Sequence, residues 1–522
     1  MANTAPPVNQ KELFGHPVGL YILFFTEMWE RFSYYGMRAI LVLYLVSATT
    51  NGNAGLGWTQ TEALALYGWY TMLVYVVSIP GGILADKIFG QKKAVLIGGI
   101  ILVAGHGILA VEEMWAFYTG LGLIIAGVGL LKPNISTMVG GLYKEGDIRR
   151  DKGFTIFYIG INLGAFIASL VVGTVGEKIG WHYGFGLAGI AMALGLIVYL
   201  WGQKYLTNVG NLLSKAEMAD GASLGNLFSD LLKSPMQLVI TLILLVASIY
   251  GWFAIGFGWG LLFIFLTVVV AMMMMVYKDL SSQIMKDRYI VMLLSFLLVI
   301  VFWGAFEQAG GLMNIYALEN TNRTIPFSLP LVGNEIPASW FQSLNSLFII
   351  AFGVLVANYW AKRKLKSKEA SSIFKMAIGV IIMGLGFVFM VFAALQFESN
   401  GSSAMYWLVL AYLFHTIGEL CSSPVALSFI TKLAPVRYAS LMMGVYFAAT
   451  GLGNKVAGEV GAFASEAGDI ATFAGITIFT VVFAAIVLLM LKPLKRLTHG
   501  AEDNERKLKE QENYELNEEP AV

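Results

Sequence analysis

Fourteen stretches of about 20 predominantly apolar residues, separated by short polar loops, run the length of this 522-residue chain. They fall near residues 18–47, 60–84, 94–112, 115–142, 153–176, 183–203, 236–254, 257–277, 289–318, 337–360, 373–396, 404–432, 438–462 and 470–491. None shows the sustained alternation of a transmembrane strand, so each is expected to be a helix that satisfies its own backbone across a bilayer. Composition closes off the alternatives. Hydrophobic residues make up 57% and charged residues 13%, about half the charged share of a soluble protein. A multidomain soluble enzyme and a disordered chain are excluded. Cys421 is the only cysteine, so no intrachain disulfide can form, and a net charge of +1 implies no nucleic-acid partner. Residues 1–17 are polar, and no cleaved signal peptide is expected.

Positive charge tests the span count, because cytoplasmic loops carry the lysines and arginines. With the N-terminus inside, the inner segments include Lys87, Lys92 and Lys93, then Lys144, Arg149, Arg150 and Lys152, then the run from Lys362 to Lys368. Only Lys178 and Arg323 fall in outer loops. Arg31, Arg38, Lys132 and Lys455 lie within spans, and the remaining 28 of the 34 basic residues are inside. An error of one span would scramble that asymmetry. The expectation is a multi-pass protein of a cell inner membrane with both termini cytoplasmic.

The seventh and eighth spans are a hairpin inserted between two sets of six. The organisation read from this is a cytoplasmic N-terminus (1–17), a six-helix lobe (18–203), linkers and hairpin (204–288), a second six-helix lobe (289–491) and a charged cytoplasmic tail (492–522). Two similar lobes around a midplane cavity are the plan of many secondary transporters. The tail reads as solvated helix or disorder.

Charges inside the spans carry the functional signal. Glu27, Glu30, Arg31, Arg38, Lys132, Glu307 and Glu419 would together cost roughly 20 kcal/mol if unpaired in lipid. They must face a polar interior. In the first span Arg31 lies about 40° from Glu27, Glu30 about 60° the other way and Arg38 about 20°, so all four share one face. Tyr34 joins them and Tyr35 lies at the edge. Glu27 and Arg31 stand in the favourable i,i+4 order for an ion pair. The ladder from Glu27 to Arg38 rises about 16 Å, half the hydrocarbon core. Glu27 and Glu30 repel when both are ionised, so a proton is expected to be held between them, as a proton-coupled carrier requires. Glu307 and Glu419 are isolated in sequence and need partners from other spans. Charge balance suggests Arg38–Glu307 and Lys132–Glu419.

His106, His182 and His415 read as structural, without metal-ligand spacing. The glycine-rich runs serve helix packing. They lack the strand context of a nucleotide loop, and no P-loop is present, so neither ATP nor any cofactor is implied.

Four stretches resemble known families. GGILADKIFGQKK (81–93) is similar to the cytoplasmic loop motif of the major facilitator superfamily, with Asp86 in the position that stabilises a closed state. EMWERFSYYGMR (27–38) resembles the ExxER motif of the proton-dependent oligopeptide transporter family, FYIGINLGA (157–165) its fifth-helix signature, and GELCSSPVALS (418–428) its tenth-helix motif. With the hairpin of bacterial members, the resemblance covers nearly the whole chain.

It implies an all-helical major facilitator fold and a symporter importing di- and tripeptides with protons, working as a monomer. Glu27, Glu30 and Arg31 would couple protons, together with Glu307. Arg38 and Lys132 would face the peptide carboxylate. Glu419, helped by Asn162 and Asn345, would face its amino terminus. Tyr35, Tyr75, Tyr158, Trp303, Ser423 and Tyr446 correspond to other cavity positions. Asp86, and the charges of the two cross-lobe pairs, would act in gating. Two positions depart from the pattern. The second-helix histidine of animal members is Gly68 here, and the usual eleventh-helix tryptophan is Tyr446. A carrier of the same fold for nitrate or a modified amino acid is the alternative.

Overall fold

The computed structural model describes residues 11–50, 52–144, 147, 149–207, 209–212 and 235–502. The tail beyond 502 and most of the linker before the hairpin lie outside these residues. Every expected span meets a helix, with ends shifted by a few residues except in the ninth, whose helix breaks well before the expected end. In chain order these are α1 (Val18–Val46), α2 (Gln60–Val76, prolonged by Ser78–Leu84 and a π turn Ala85–Phe89), α3 (Gln91–Leu109), α4 (Met114–Gly141), α5 (Arg150–Lys178), α6 (Trp181–Trp201), α7 (Pro235–Ile255), α8 (Phe257–Asp279), α9 (Gln283–Phe306), α10 (Ser343–Leu365), α11 (Ser372–Asn400), α12 (Met405–Leu433), α13 (Ala439–Ala467) and α14 (Asp469–Leu489). Eleven helical segments among the described residues are long and apolar enough to cross a membrane. The segments of α1 and α13 fall short of that measure. In α1 the reason is the buried charge ladder.

The span expected at 289–318 is not one helix. It gives way to a 3-10 turn at Glu307–Ala309 and restarts at Leu312–Glu319. Gly310 and Gly311 separate the two pieces. A short antiparallel pair, Thr324–Leu329 with Gly333–Glu335, follows before α10.

Two compact units make up the chain. One holds Met1–Ser214, Leu298–Val425 and Phe447–Leu488; the other holds Lys215–Leu297, Ala426–Tyr446 and Leu489–Val522. In the smaller unit the hairpin α7–α8 is tied by Ser248 Oγ and Thr267 Oγ1 at 3.1 Å. Asp279 at its exit accepts from Tyr438 (2.5 Å) and Arg437 (3.1 Å). In the larger unit, buried hydroxyl and amide side chains mostly bond back to carbonyls one turn earlier, as Thr26 does to Ile22 and Thr71 to Tyr67. With no water in the hydrocarbon, a helix must satisfy its polar groups this way.

Within the larger unit, α2 and α13 touch at their backbones. A Cβ placed on Gly68 would lie 2.9 Å from Gly458 Cα and 3.3 Å from the Lys455 carbonyl. The position that the resemblance matched to a histidine is therefore filled by another helix. Beside it, Lys455 contacts Glu459, and its ammonium lies 4.2 Å from the centroid of the Trp69 ring.

Glu177, at the end of α5, fastens the start of α10. Its Oε2 accepts from the Ala338 N–H (2.8 Å), and its Oε1 from the Ser339 N–H (2.9 Å) and hydroxyl (2.5 Å). A carboxylate there caps donors that the helix itself leaves unpaired. Arg323 stands 3.8 Å behind it and also pairs with Glu335 at 2.8 Å.

Candidate functional site

The charge ladder of α1 is buried as its spacing predicts: Glu27, Glu30, Arg31, Tyr34 and Arg38 all lie inside the larger unit. Arg31 Nε is 3.1 Å from Glu27 Oε1 and in direct ionic contact with Glu30. Yet Glu27 Oε2, both Glu30 oxygens and Arg31 Nη2 find no aligned hydrogen-bond partner among the described residues. The three groups share charge without completing a hydrogen-bond network, which leaves carboxylate oxygens to which a proton can add. The Tyr35 ring lies within reach of both cations, with the Arg38 guanidinium 5.4 Å and the Arg31 guanidinium 6.0 Å from its centroid.

A second cluster joins α1, α2 and the 3-10 turn after α9. Arg38 Nε lies 3.1 Å from Glu307 Oε1. It also donates to the Tyr67 hydroxyl at 2.8 Å, which in turn donates to the same Glu307 oxygen at 2.5 Å. The pair suggested by charge balance is thus formed, with a tyrosine inserted between its members. Gly310 is what admits them. A Cβ there would collide with the Tyr67 hydroxyl and lie 2.7 Å from Arg38 Nη2.

The other suggested pair is not formed. Lys132 lies 3.8 Å over the Tyr75 ring, within electrostatic reach of Glu27 and Glu30. Glu419 instead accepts at 2.7 Å from Asn345, whose amide also donates to Thr416 Oγ1 at 3.1 Å. Sequence cannot say which helix faces which, and here α4 turns its lysine toward α1 and α2. Lys132 and Ser423 each immediately precede an intrahelical proline, Pro133 and Pro424. A proline inside a helix leaves the carbonyl one turn back without its usual donor, so each of these site residues stands beside a break in the backbone hydrogen-bond ladder.

Among the remaining expected residues, Tyr158 is 44% exposed while Asn162 is buried and bonds back to its carbonyl at 2.9 Å. Tyr75, Trp303 and Ser423 are half-buried, Trp303 between Phe302 and Phe306. Tyr446 is buried on α13 in the smaller unit. Asp86 is exposed. His106 and His415 are enclosed with no partner on either ring nitrogen among the described residues. His182 packs against Tyr44 and Phe185. A cavity of about 660 Å³ bordered by Leu170, Trp340, Leu344 and Tyr406 contains none of the expected site residues. Sequence reasoning missed Tyr67, Gly310, Thr416 and Glu177. Only the paired glycines after Glu307 offered a signal.

The POT family model matches residues 92–476. The chain belongs to the POT family. It is a multi-pass membrane transporter rather than an enzyme. Curated POT relatives span it almost end to end. The uncharacterized transporter YclF of Bacillus subtilis is 40% identical over 94% of this chain and 97% of its own. A di-/tripeptide transporter of Lactococcus lactis subsp. cremoris is 36% identical over 94% and 98%. Among solved structures, the peptide transporter POT in complex with sulfate superposes with a TM-score of 0.77 at 36% identity, covering 95% of this chain and 98% of that one. A POT family transporter in complex with 5-aminolevulinic acid gives 0.77 at 32% identity, covering 94% and 99%. The fold is therefore the major facilitator type.

Proposed function

We propose that this POT-family transporter is a symporter that carries di- and tripeptides inward together with protons, by alternating access between two six-helix lobes. The observation that carries the reading is the polarity of the larger unit. Arg38 and Lys132 stand on α1 and α4, and Glu419 with Asn345 on α12 and α10. A zwitterionic peptide presents a carboxylate to the first set and an ammonium to the second, so its termini rather than its side chains are read. Tyr35, Tyr75, Tyr158 and Trp303 offer apolar faces with polar edges that accept varied side chains. Similar transporters described as carrying di- and tripeptides support the cargo.

The protons act on the α1 clusters. Adding one to Glu307 removes the charge that holds Arg38, leaving the guanidinium for a substrate carboxylate. Adding one to Glu27 or Glu30 loosens Arg31 in the same way. In both cases the protein trades an internal ion pair for a substrate or a changed pairing, so charge never stands alone in a low dielectric. The lysine-rich loops support cytoplasmic termini. On that orientation the end where Glu177 fastens α10 faces outside, and this conformer is closed there.

A second reading has the same fold and coupling but another small substrate, such as a modified amino acid or nitrate. The similar transporter solved with 5-aminolevulinic acid favours it, because that ligand also carries both an ammonium and a carboxylate. Uptake of labelled dialanine into liposomes holding the purified protein separates the two. Accumulation only with an inward proton gradient, competed by varied dipeptides and not by free alanine, is the expected result. No uptake by correctly inserted protein would refute the peptide reading.

A further inference from the structure

The polar cluster around Glu419 contains a constraint that its charge alone does not explain. The Thr416 side chain is fully buried. Its hydroxyl lies 2.7 Å from the Tyr412 carbonyl one turn back. A carbonyl can only accept, so the hydroxyl hydrogen is committed there. What Thr416 Oγ1 has left is acceptor capacity, and it faces Asn345 at 3.1 Å. Only the amide nitrogen of Asn345 can meet it. The other hydrogen of that nitrogen goes to Glu419 Oε2 at 2.7 Å.

The amide is thereby oriented by chemistry. Were the Asn345 side chain flipped, its carbonyl oxygen would face the Thr416 oxygen with no proton between them. This holds whether Glu419 is ionised or protonated, since the Thr416 hydrogen is fixed by backbone. With both N–H bonds used, the polar atom that half-buried Asn345 has left is its carbonyl oxygen. Glu419 gives Oε2 to the amide, which leaves Oε1 of the same carboxylate as a second acceptor. The pair offers two acceptors and no donor.

We infer that Thr416 is a specificity-determining positioning residue, which holds the Asn345 amide so that the substrate's end at Glu419 must be a hydrogen-bond donor. The inference rests on the peptide reading above and sharpens it. A free α-ammonium brings three donors to two acceptors. An N-acylated peptide brings one N–H, and its added carbonyl oxygen meets only other acceptors. Rejecting a ligand that leaves buried acceptors facing an acceptor is a stronger filter than fitting its shape. In a variant lacking the hydroxyl only the Glu419 carboxylate still orients the amide, and once a proton or the substrate neutralises that carboxylate the amide can turn to present its nitrogen, which weakens the filter.

The test compares dialanine with N-acetyl-dialanine as competitors of labelled dialanine uptake in proton-driven liposomes. Thr416→Val keeps the shape and removes the hydroxyl; Thr416→Ser keeps the hydroxyl. The preference for the free peptide should fall by about two- to tenfold in Thr416→Val, the worth of the one neutral hydrogen bond that orients the amide. It should arise chiefly through KM for dialanine, with the maximal rate little changed. Thr416→Ser should retain the parent ratio. Should the valine variant fail to fold, Thr416→Ala is judged by the same ratio. A general packing defect would lower uptake without changing the ratio, and that result overturns the inference while leaving peptide transport intact. A parent protein that ignores dialanine overturns both together.

Discussion

Replacing Gly310 with alanine tests whether the Arg38–Tyr67–Glu307 cluster holds the Glu177 end of the transporter shut. The new methyl would collide with the Tyr67 hydroxyl and lie 2.7 Å and 2.8 Å from Arg38 Nη2 and Nε. Those side chains must withdraw, which undoes the 2.8 Å and 2.5 Å hydrogen bonds and the 3.1 Å ion pair. A hydrogen bond to a charged group is worth about 1.5–3 kcal/mol. Losing one or two of them, with part of the loss recovered by rearrangement, leaves about 3 kcal/mol. That corresponds to a shift of roughly 100-fold in the ratio of closed to open conformers. Spin labels on Glu113→Cys and Leu331→Cys, in a Cys421→Ser background, would read the separation at that end. The variant should gain a longer-distance population that the parent lacks. Tyr67→Phe removes the worst obstruction, so adding Gly310→Ala to it should cost less than the alanine alone. A variant with the parent's distance distribution and unaltered proton-driven uptake would refute the reasoning.

Glu30→Gln should abolish concentrative, proton-driven uptake while peptide counterflow survives; accumulation that persists against a gradient would remove Glu30 from coupling. Glu177→Gln leaves one acceptor oxygen for donors that now share two, and should raise the longer-distance population in the same labelled pair; an unchanged distribution would mean that Glu177 only caps its helix. Asp147, in the loop before α5, is held below the usual carboxylate range by hydrogen bonds from the Arg149 side chain and backbone. Its contribution is complete above about pH 4 and is lost only as pH falls through that lowered value. Asp147→Asn should therefore leave the pH profile of uptake between about pH 5 and 8 unchanged, and a displaced profile would place part of the pH response in the loops.

How much of this was legible beforehand depends on the range of the interaction. Span positions follow from local hydropathy, so the helices fall where expected. The common face of Glu27, Glu30, Arg31 and Arg38 follows from helical geometry alone. Arg38 and Glu307 could be matched because few opposite charges were available. Nothing in LYGWYTMLVY distinguishes Tyr67 from Tyr70 or Tyr75, since which tyrosine meets Arg38 is set by how α2 lies against α1. Lys132 shows the same limit in reverse: charge counting offered it Glu419, and the packing of α4 laid it over an aromatic ring instead. Thr416 was invisible for another reason. A threonine inside a helix normally satisfies itself on its own backbone, and only the structure reveals an asparagine using the lone pair that remains.

The backbone contact between Gly68 and Gly458 also limits how this chain can change by descent. A single substitution at 68 that introduced an imidazole would drive it into the main chain of α13. Any side chain at 68 requires α13 to stand further from α2 at this level, and the same holds for a side chain at 458. The close approach belongs to two positions at once, so neither glycine can be replaced alone without parting the helices.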